Sequence, residues 1–318
     1  MSLTSVPTID VSHLLSTSNQ VQKDKSIVEL GCACREWGFF YIKNHGVSDA
    51  VINSFRNEMS TFFHLPENVL NNIRRNQKNS RGYFDDELTK NKIDWKRCFD
   101  FGAQDGSLDN EGMDGKNQWP STLDHDLFQP TMRNYFREME SLSKVLLEAI
   151  CVSLGMEKDL LNQYFEGNHT SYLRLNYYPP CPNPDDHQGI YHHTDAGALT
   201  ILYQDLGITS LQVFHEGHWY FVPPKENMFV VNIGDMIQIW SNDEYTAPLH
   251  QVMVHASKER YSAPFFYNPA YKTDVCPILV KSAKWKYKPL NWGDFRARRF
   301  AGDFSDNGEE VQISHYLS

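Results

Sequence analysis

The sequence predicts an α+β protein, helical in its first half and β in its second, with the β part forming a double-sheet sandwich or jelly roll. Three observations carry this. Apolar residues recur at three- and four-residue steps as far as residue 154, which is the period of a helix with one buried face. From Ser171 onward the pattern changes to short apolar runs, the length and spacing of strands in a two-sheet β-core. Those runs are punctuated by turn pairs such as Glu216-Gly217 and Gly234-Asp235.

Taken in order, residues 6–11 have a short strand pattern broken by Pro7, and residues 23–34 place Ile27, Leu30 and Cys34 on one helical face. Residues 37–42, Trp-Gly-Phe-Phe-Tyr-Ile, suit a buried strand. Ser48 is placed to cap a helix carrying Ile52, Phe55, Met59 and Phe62, with Pro66 at its end or at a break. Residues 103–119, rich in Gly, Asp and Asn, read as a surface loop. A long helix is expected over 131–154, with Met132, Phe136, Met139, Leu142, Leu146 and Ile150 in one stripe and Gly155 as its stop. The expected strands are 172–178, 199–203, 211–214, 219–222, 229–233, 236–240 and 251–254. This divides the chain into an N-terminal region, 1–120, packing on a core, 121–318, as one functional unit.

A chain of 318 residues with 41% hydrophobic and 13% aromatic residues can bury a large core, so disorder is excluded. Thirty basic against forty acidic side chains give a charge of −10, which argues against nucleic acid or an anionic membrane surface as the main partner. The densest cationic run, Arg74-Arg75 with Lys78 and Arg81, alternates with Asn, Gln and Ser and reads as a solvated connection. None of the six cysteines shows the C-x-x-C spacing of zinc or dithiol sites, so reduced thiols are expected. No stretch approaches the roughly 18 apolar residues of a membrane span, and the N-terminus lacks a basic region followed by an apolar run. A cytoplasmic monomer is the expectation.

The richest chemistry lies in Tyr191-His192-His193-Thr194-Asp195. In an extended chain alternate side chains share a face, so His193 and Asp195 point the same way, and His192 is left to packing or a supporting role. His250, on a strand able to lie alongside, is the candidate third ligand. Two imidazoles and one carboxylate on one face of an octahedron leave three positions open, the arrangement of non-haem Fe(II) oxygenases. Zinc also accepts this donor set. In Arg260-Tyr261-Ser262 a guanidinium and a hydroxyl share a face and can hold a carboxylate, although an arginine in isolation often makes only a surface ion pair.

With these residues assembled, the chain resembles the plant-type Fe(II)- and 2-oxoglutarate-dependent oxygenases, the family of isopenicillin N synthase, anthocyanidin synthase and the gibberellin oxidases. The resemblance covers almost the whole length. It is carried by Val6-Pro7-Thr8-Ile9-Asp10, the run from Trp37 to Val47, Asn176-Tyr177-Tyr178-Pro179-Pro180-Cys181, His193-Thr194-Asp195, His250 and Arg260-Tyr261-Ser262. It implies a distorted double-stranded β-helix, or jelly roll, wrapped by N-terminal helices, with the metal inside its mouth. It also implies Fe(II), 2-oxoglutarate and O2 as cofactors, with ascorbate as a reductant, and it places Tyr178 and Asn176 beside Arg260 and Ser262 around 2-oxoglutarate; the plain alternative for Tyr178 is a core aromatic. Asn242-Asp243 and His250-Gln251 depart from the Asn-Gly and His-Arg usual in plant members. That departure touches subfamily membership and not the metal ligands.

The reaction implied is oxidation of a small-molecule C–H bond with release of succinate and CO2, ending in hydroxylation, desaturation or ring closure. Arg174 shares strand parity with Asn176 and Tyr178 and is expected to project into the mouth, where it favours an anionic substrate. Phe266 and Asn268 share parity with Arg260 and Ser262. Cys98 and Asp100 resemble a pocket-lining segment in flavonoid-oxidising relatives, and an ammonium group on Asp100 with a carboxylate on Arg174 points to an amino-acid-derived substrate; the alternative is that the two charges pair with each other. The pocket walls are expected from residues 74–101 and from a lid after Trp292. Three further readings stand beside this one: an oxidase of the isopenicillin N synthase or aminocyclopropane carboxylate oxidase kind that does not consume 2-oxoglutarate, a non-enzymatic small-molecule binder, and a zinc hydrolase, against which the absence of an evident general base speaks.

Overall fold

The longest helix, Phe128–Ser153, shows how sequence becomes scaffold in the computed structural model, which describes residues 5–16, 19–103, 115–123, 126–278, 284–302 and 311–318. The stripe from Met132 to Ile150 is buried, and Tyr135 and Leu147 widen it. Gly155 ends the helix at φ +76°, and the bonds Met156 N–H to Cys151 O, 2.9 Å, and Gly155 N–H to Val152 O, 2.9 Å, close a Schellman motif. Helices Gln20–Glu36 and Asp49–Phe63 pack against it. The second of these is capped by Ser48, whose Oγ accepts from the Val51 amide at 3.3 Å.

Behind these helices lies an eight-stranded sheet, in the order Thr8–Asp10, Phe39–Lys43, Met228–Ile233, Leu199–Gln204, Arg260–Tyr267, Tyr172–Tyr178, Arg97–Gly102 and Gly82–Phe84. A four-stranded sheet, His218–Phe221, Leu211–His215, His250–Met253 and Gln188–His193, completes the jelly roll. One buried apolar cluster runs from Ile9 through the long helix to Tyr267. Residues before 120 supply four strands of the larger sheet, so the two halves of the chain share one core. A second cluster, including Trp37, Phe39, Tyr178, Leu211, Val230 and Val252, draws on both sheets. No helix among the described residues is long and apolar enough to cross a membrane.

Residues 236–240, expected as a strand, form the helix Asp235–Trp240. Met236, Ile237, Ile239 and Trp240 are all buried and only Gln238 between them is polar, so the five-residue run carries too little periodicity to tell helix from strand. Of the strands in the two large sheets, Gly82–Phe84, Arg97–Gly102 and Gln188–His193 went unanticipated. Between the first two, the ribbon Leu88–Thr89 and Lys92–Ile93 turns at Lys90 and Asn91, both at positive φ, and Trp95 N–H donates to Gln188 O at 2.9 Å. Residues 104–114 of the expected surface loop, and 303–310 of the expected lid, lie outside the described residues. Part of the segment after Trp292 forms the helix Trp292–Gly302.

Candidate active site

Side-chain alternation alone does not aim His193 at His250; a bulge does. His193 pairs with His250 and Ile190 with Val252, so three steps along one strand oppose two along the other. The Tyr191 amide, in the bulged stretch, donates to Asp94 Oδ1 at 3.3 Å. Asp195 follows the strand end, and its backbone carbonyl accepts from the Asp235 amide at 2.8 Å. These constraints bring donor atoms of His193, Asp195 and His250 within 4.8 Å of one another.

The supporting hydrogen bonds leave one donor atom of each side chain turned to the common centre. Nδ1 of His193 donates to Tyr191 O at 2.8 Å and Nδ1 of His250 to Pro248 O at 3.2 Å, so each Nε2 keeps its lone pair. Both Nε2 atoms lie 3.7 Å from Asp195 Oδ1. The other carboxylate oxygen, Oδ2, accepts from Thr200 Oγ1 at 2.5 Å and Asn232 Nδ2 at 2.7 Å. Burial, with His250 adding to it, pushes the His193 imidazole down to about 3, which keeps it neutral at physiological pH. Burial pushes the Asp195 carboxyl up, but the two imidazoles and the two donors outweigh it and hold it below its ordinary value. His192 is exposed, with its ring edge-on to Trp219 at 6.4 Å.

One cavity is lined by the three donors together with Asn176, Tyr178, Arg260 and Ser262. Arg260 is 3% exposed; its Nη2 donates to Gln204 Oε1 at 3.0 Å and its Nη1 to Ser262 Oγ at 3.4 Å. Its guanidinium carbon lies 5.0 Å from the centre of the Tyr178 ring. Its Nε has no partner, and among the described residues it makes no ion pair; burial lowers its proton affinity, and the attractions of Tyr178 and Asp205 do not make up the loss. A buried guanidinium with an unmade bond is costly. A carboxylate entering this cavity completes it, and the residues present therefore fit 2-oxoglutarate at one end and a divalent metal at the other.

A second cavity shares His193 and Asp195 and is walled by Tyr172, Arg174, Phe266, Asn268 and Trp292 among others. Phe266 borders both cavities. The expectation that Arg174 and Asp100 receive a carboxylate and an ammonium is corrected here. Arg174 Nε and Nη2 donate to the two oxygens of Asp100 at 2.8 and 2.9 Å, and Nη1 donates to Glu87 at 2.8 Å. The two residues are directly opposite on neighbouring strands, so each charge meets the other first. Both Asp100 oxygens are engaged by Arg174, and Asp100 lines neither cavity. Cys98 is fully buried and donates from Sγ to Asn176 Oδ1 at 3.1 Å, behind the cavity wall. Thr200, Asn232 and Gln204 were not singled out from the sequence; the available signal was a lone polar residue inside an apolar strand, as in Leu-Thr-Ile-Leu and Val-Val-Asn-Ile.

Comparison with known proteins decides the family. A sequence model of the 2OG-Fe(II) oxygenase superfamily matches residues 169–269, and one for the N-terminal region of non-haem dioxygenases, described from morphine synthesis, matches 6–122. Jasmonate-induced oxygenase 2 of Arabidopsis thaliana is 34% identical over 92% of this chain and 78% of its own length. The chain belongs to the 2OG-Fe(II) oxygenase superfamily. Another Arabidopsis thaliana relative, 1-aminocyclopropane-1-carboxylate oxidase 5, is 32% identical over 91% of this chain and 92% of its own. A crystal structure of JOX2 with 2OG, Fe and JA has a TM-score of 0.82 to this oxygenase at 30% identity, covering 98% of this chain and 89% of that one.

The hydrogen bonds to Asp195 carry a prediction for this oxygenase. Asn232→Ala and Thr200→Val each leave the ligand set intact but release the carboxylate to rotate. Fe(II) affinity is expected to fall about 10- to 100-fold in each, read by anaerobic titration, with 2-oxoglutarate affinity at saturating metal changed far less.

Proposed function

We propose that this Fe(II)- and 2-oxoglutarate-dependent dioxygenase holds its metal through Nε2 of His193 and His250 and Oδ1 of Asp195. In this reading Arg260 and Ser262, with Tyr178 and Asn176 beside them, anchor the distal carboxylate of 2-oxoglutarate, and the enzyme oxidises a C–H bond of an anionic small molecule. The observation that carries it is the buried, unpartnered Nε of Arg260 in the cavity that also contains the three donors. Support for an anionic substrate comes from the JA held by the related JOX2 structure; in the second cavity Arg174 and Lys96 are already paired with Glu87, Asp100 and Asp94 and add no free cation.

Bound iron and 2-oxoglutarate supply the activation of O2. The chain's own residues do the rest. The three donors would hold the metal and leave it positions for the cosubstrate and O2. Arg260 fixes the orientation of the cosubstrate through its distal end. Ile190, Pro264 and Phe266, which border both cavities, exclude water from the reacting centre. Hydroxylation, desaturation and ring closure differ in how the substrate sits against this wall.

The test is anaerobic loading with Fe(II) and 2-oxoglutarate, admission of O2, and a screen of carboxylate-bearing metabolites for succinate formed in step with substrate lost. One succinate per substrate oxidised is expected. Turnover with ascorbate and without 2-oxoglutarate would instead assign the oxidase reading that the 1-aminocyclopropane-1-carboxylate oxidase relative suggests. Metal binding with no O2 uptake on any candidate would leave a binding protein.

A further inference from the structure

We infer that Gln204 is a positioning residue for 2-oxoglutarate: its neutral carbonyl fixes the Arg260 guanidinium without cancelling the charge that the cosubstrate needs. The inference rests on the assignment of Arg260 as the anchor and adds to it a residue that does not touch the cosubstrate.

Gln204 ends the strand Leu199–Gln204, directly opposite Ser262 on the strand that carries Arg260. It is 6% exposed and held at both ends of its amide: Oε1 accepts from Arg260 Nη2 at 3.0 Å and Nε2 donates to Val222 O at 3.3 Å. The amide orientation follows from these partners, because turning it over sets an NH2 group against a guanidinium, donor against donor. With Nη2 committed to Gln204 and Nη1 directed at Ser262, the guanidinium plane is fixed, and Nε is the polar edge left without a partner.

A carboxylate at position 204 has the same shape and opposite consequences. Glutamate accepts the same Nη2 bond, but at this depth it forms an ion pair with Arg260 and competes with the distal carboxylate for a single cation. The chain places a neutral acceptor here and no acid in hydrogen-bond reach of Arg260 among the described residues. The neighbouring Asp205 is turned to Arg56, which it meets at 3.0 Å. Asp205 still attracts Arg260 but makes no ion pair with it, so the anchor keeps its charge for a ligand.

The test measures equilibrium binding of 2-oxoglutarate to the anaerobic Fe(II)-loaded protein by calorimetry, for wild type, Gln204→Glu and Gln204→Met. Gln204→Glu is expected to raise the Kd for 2-oxoglutarate by about 10- to 100-fold near neutral pH, the worth of a hydrogen bond to a charged group. Gln204→Met, which removes the acceptor but adds no charge, gives a smaller rise. Fe(II) affinity stays within about twofold in both, since no metal donor contacts Gln204, and in turnover the effect falls on KM for 2-oxoglutarate before kcat. If wild type binds no 2-oxoglutarate, the anchor assignment fails. If wild type binds it and both variants bind equally well, the role given to Gln204 is overturned; should Gln204→Glu not fold, Gln204→Met alone decides in the same way.

Discussion

Asp195→Ala is expected to abolish retention of Fe(II) and to lower coupled succinate formation by about three orders of magnitude or more, the scale on which a metal ion's charge stabilisation enters a rate. Its Oδ1 faces two imidazole nitrogens at 3.7 Å, so alanine leaves a two-histidine site with no anionic ligand. Asp195→Asn is expected to fail as completely, for a reason visible in the hydrogen bonds. Asn232 Nδ2 can only donate, so it draws the new carbonyl oxygen toward the position of Oδ2 and turns the amide NH2 toward the metal. An amide nitrogen there is a donor where a lone pair is required. Iron content after gel filtration and oxygen uptake check both variants, and circular dichroism checks that the fold survives. An Asp195→Asn protein that keeps iron and turns over would remove Asp195 from the ligand set.

Much of this site was legible in the sequence because its chemistry is concentrated in short runs. His193 and Asp195 are two apart, and Arg260 and Ser262 are two apart, so period-two alternation pairs them on a face without knowledge of the fold. What alternation could not supply was cross-strand register. The bulge at Tyr191 and the positions of Thr200 and Asn232 beside Asp195 depend on which residue of one strand lies opposite which of the next. Arg174 shows the same limit. Its parity with Asn176 places it on the cavity side, as expected, but Asp100 is its direct cross-strand partner and takes the charge. Among the elements, the amphipathic helices were clear. The short run at 236–240, apolar but for Gln238, and the strands at 82–84 and 97–102, rich in charged and polar neighbours, carried no period to read.

Arg174→Ala is expected to cost about 3–5 kcal/mol of stability, because it leaves two buried carboxylates facing a void. Asp100 loses the partner of both oxygens, and Glu87 keeps Lys96 at 2.6 Å and Arg75 at 3.6 Å. The loss is read from the urea midpoint at unchanged slope. The double variant Arg174→Leu with Asp100→Leu removes donor and acceptor together and should lose less than the two single changes summed; strict additivity would show that the pair does not act as a unit. Glu87 gives the pH signature. Burial pushes its carboxyl up, but Arg174, Lys96 and Arg75 outweigh that and hold it well below its ordinary 4.5. The folded state therefore favours the ionised form, and the stabilisation is complete above pH 4.5 and lost as pH falls below it. Asp94, pushed up by burial, contributes with the opposite sign. Removing Arg174 takes away the largest force holding Glu87 down, so the acid-linked loss below pH 4.5 should be shallower in Arg174→Ala than in wild type. An unchanged slope would mean that Lys96 and Arg75 suffice to hold Glu87 ionised, and that Arg174 stabilises the wall of the second cavity through Asp100 alone.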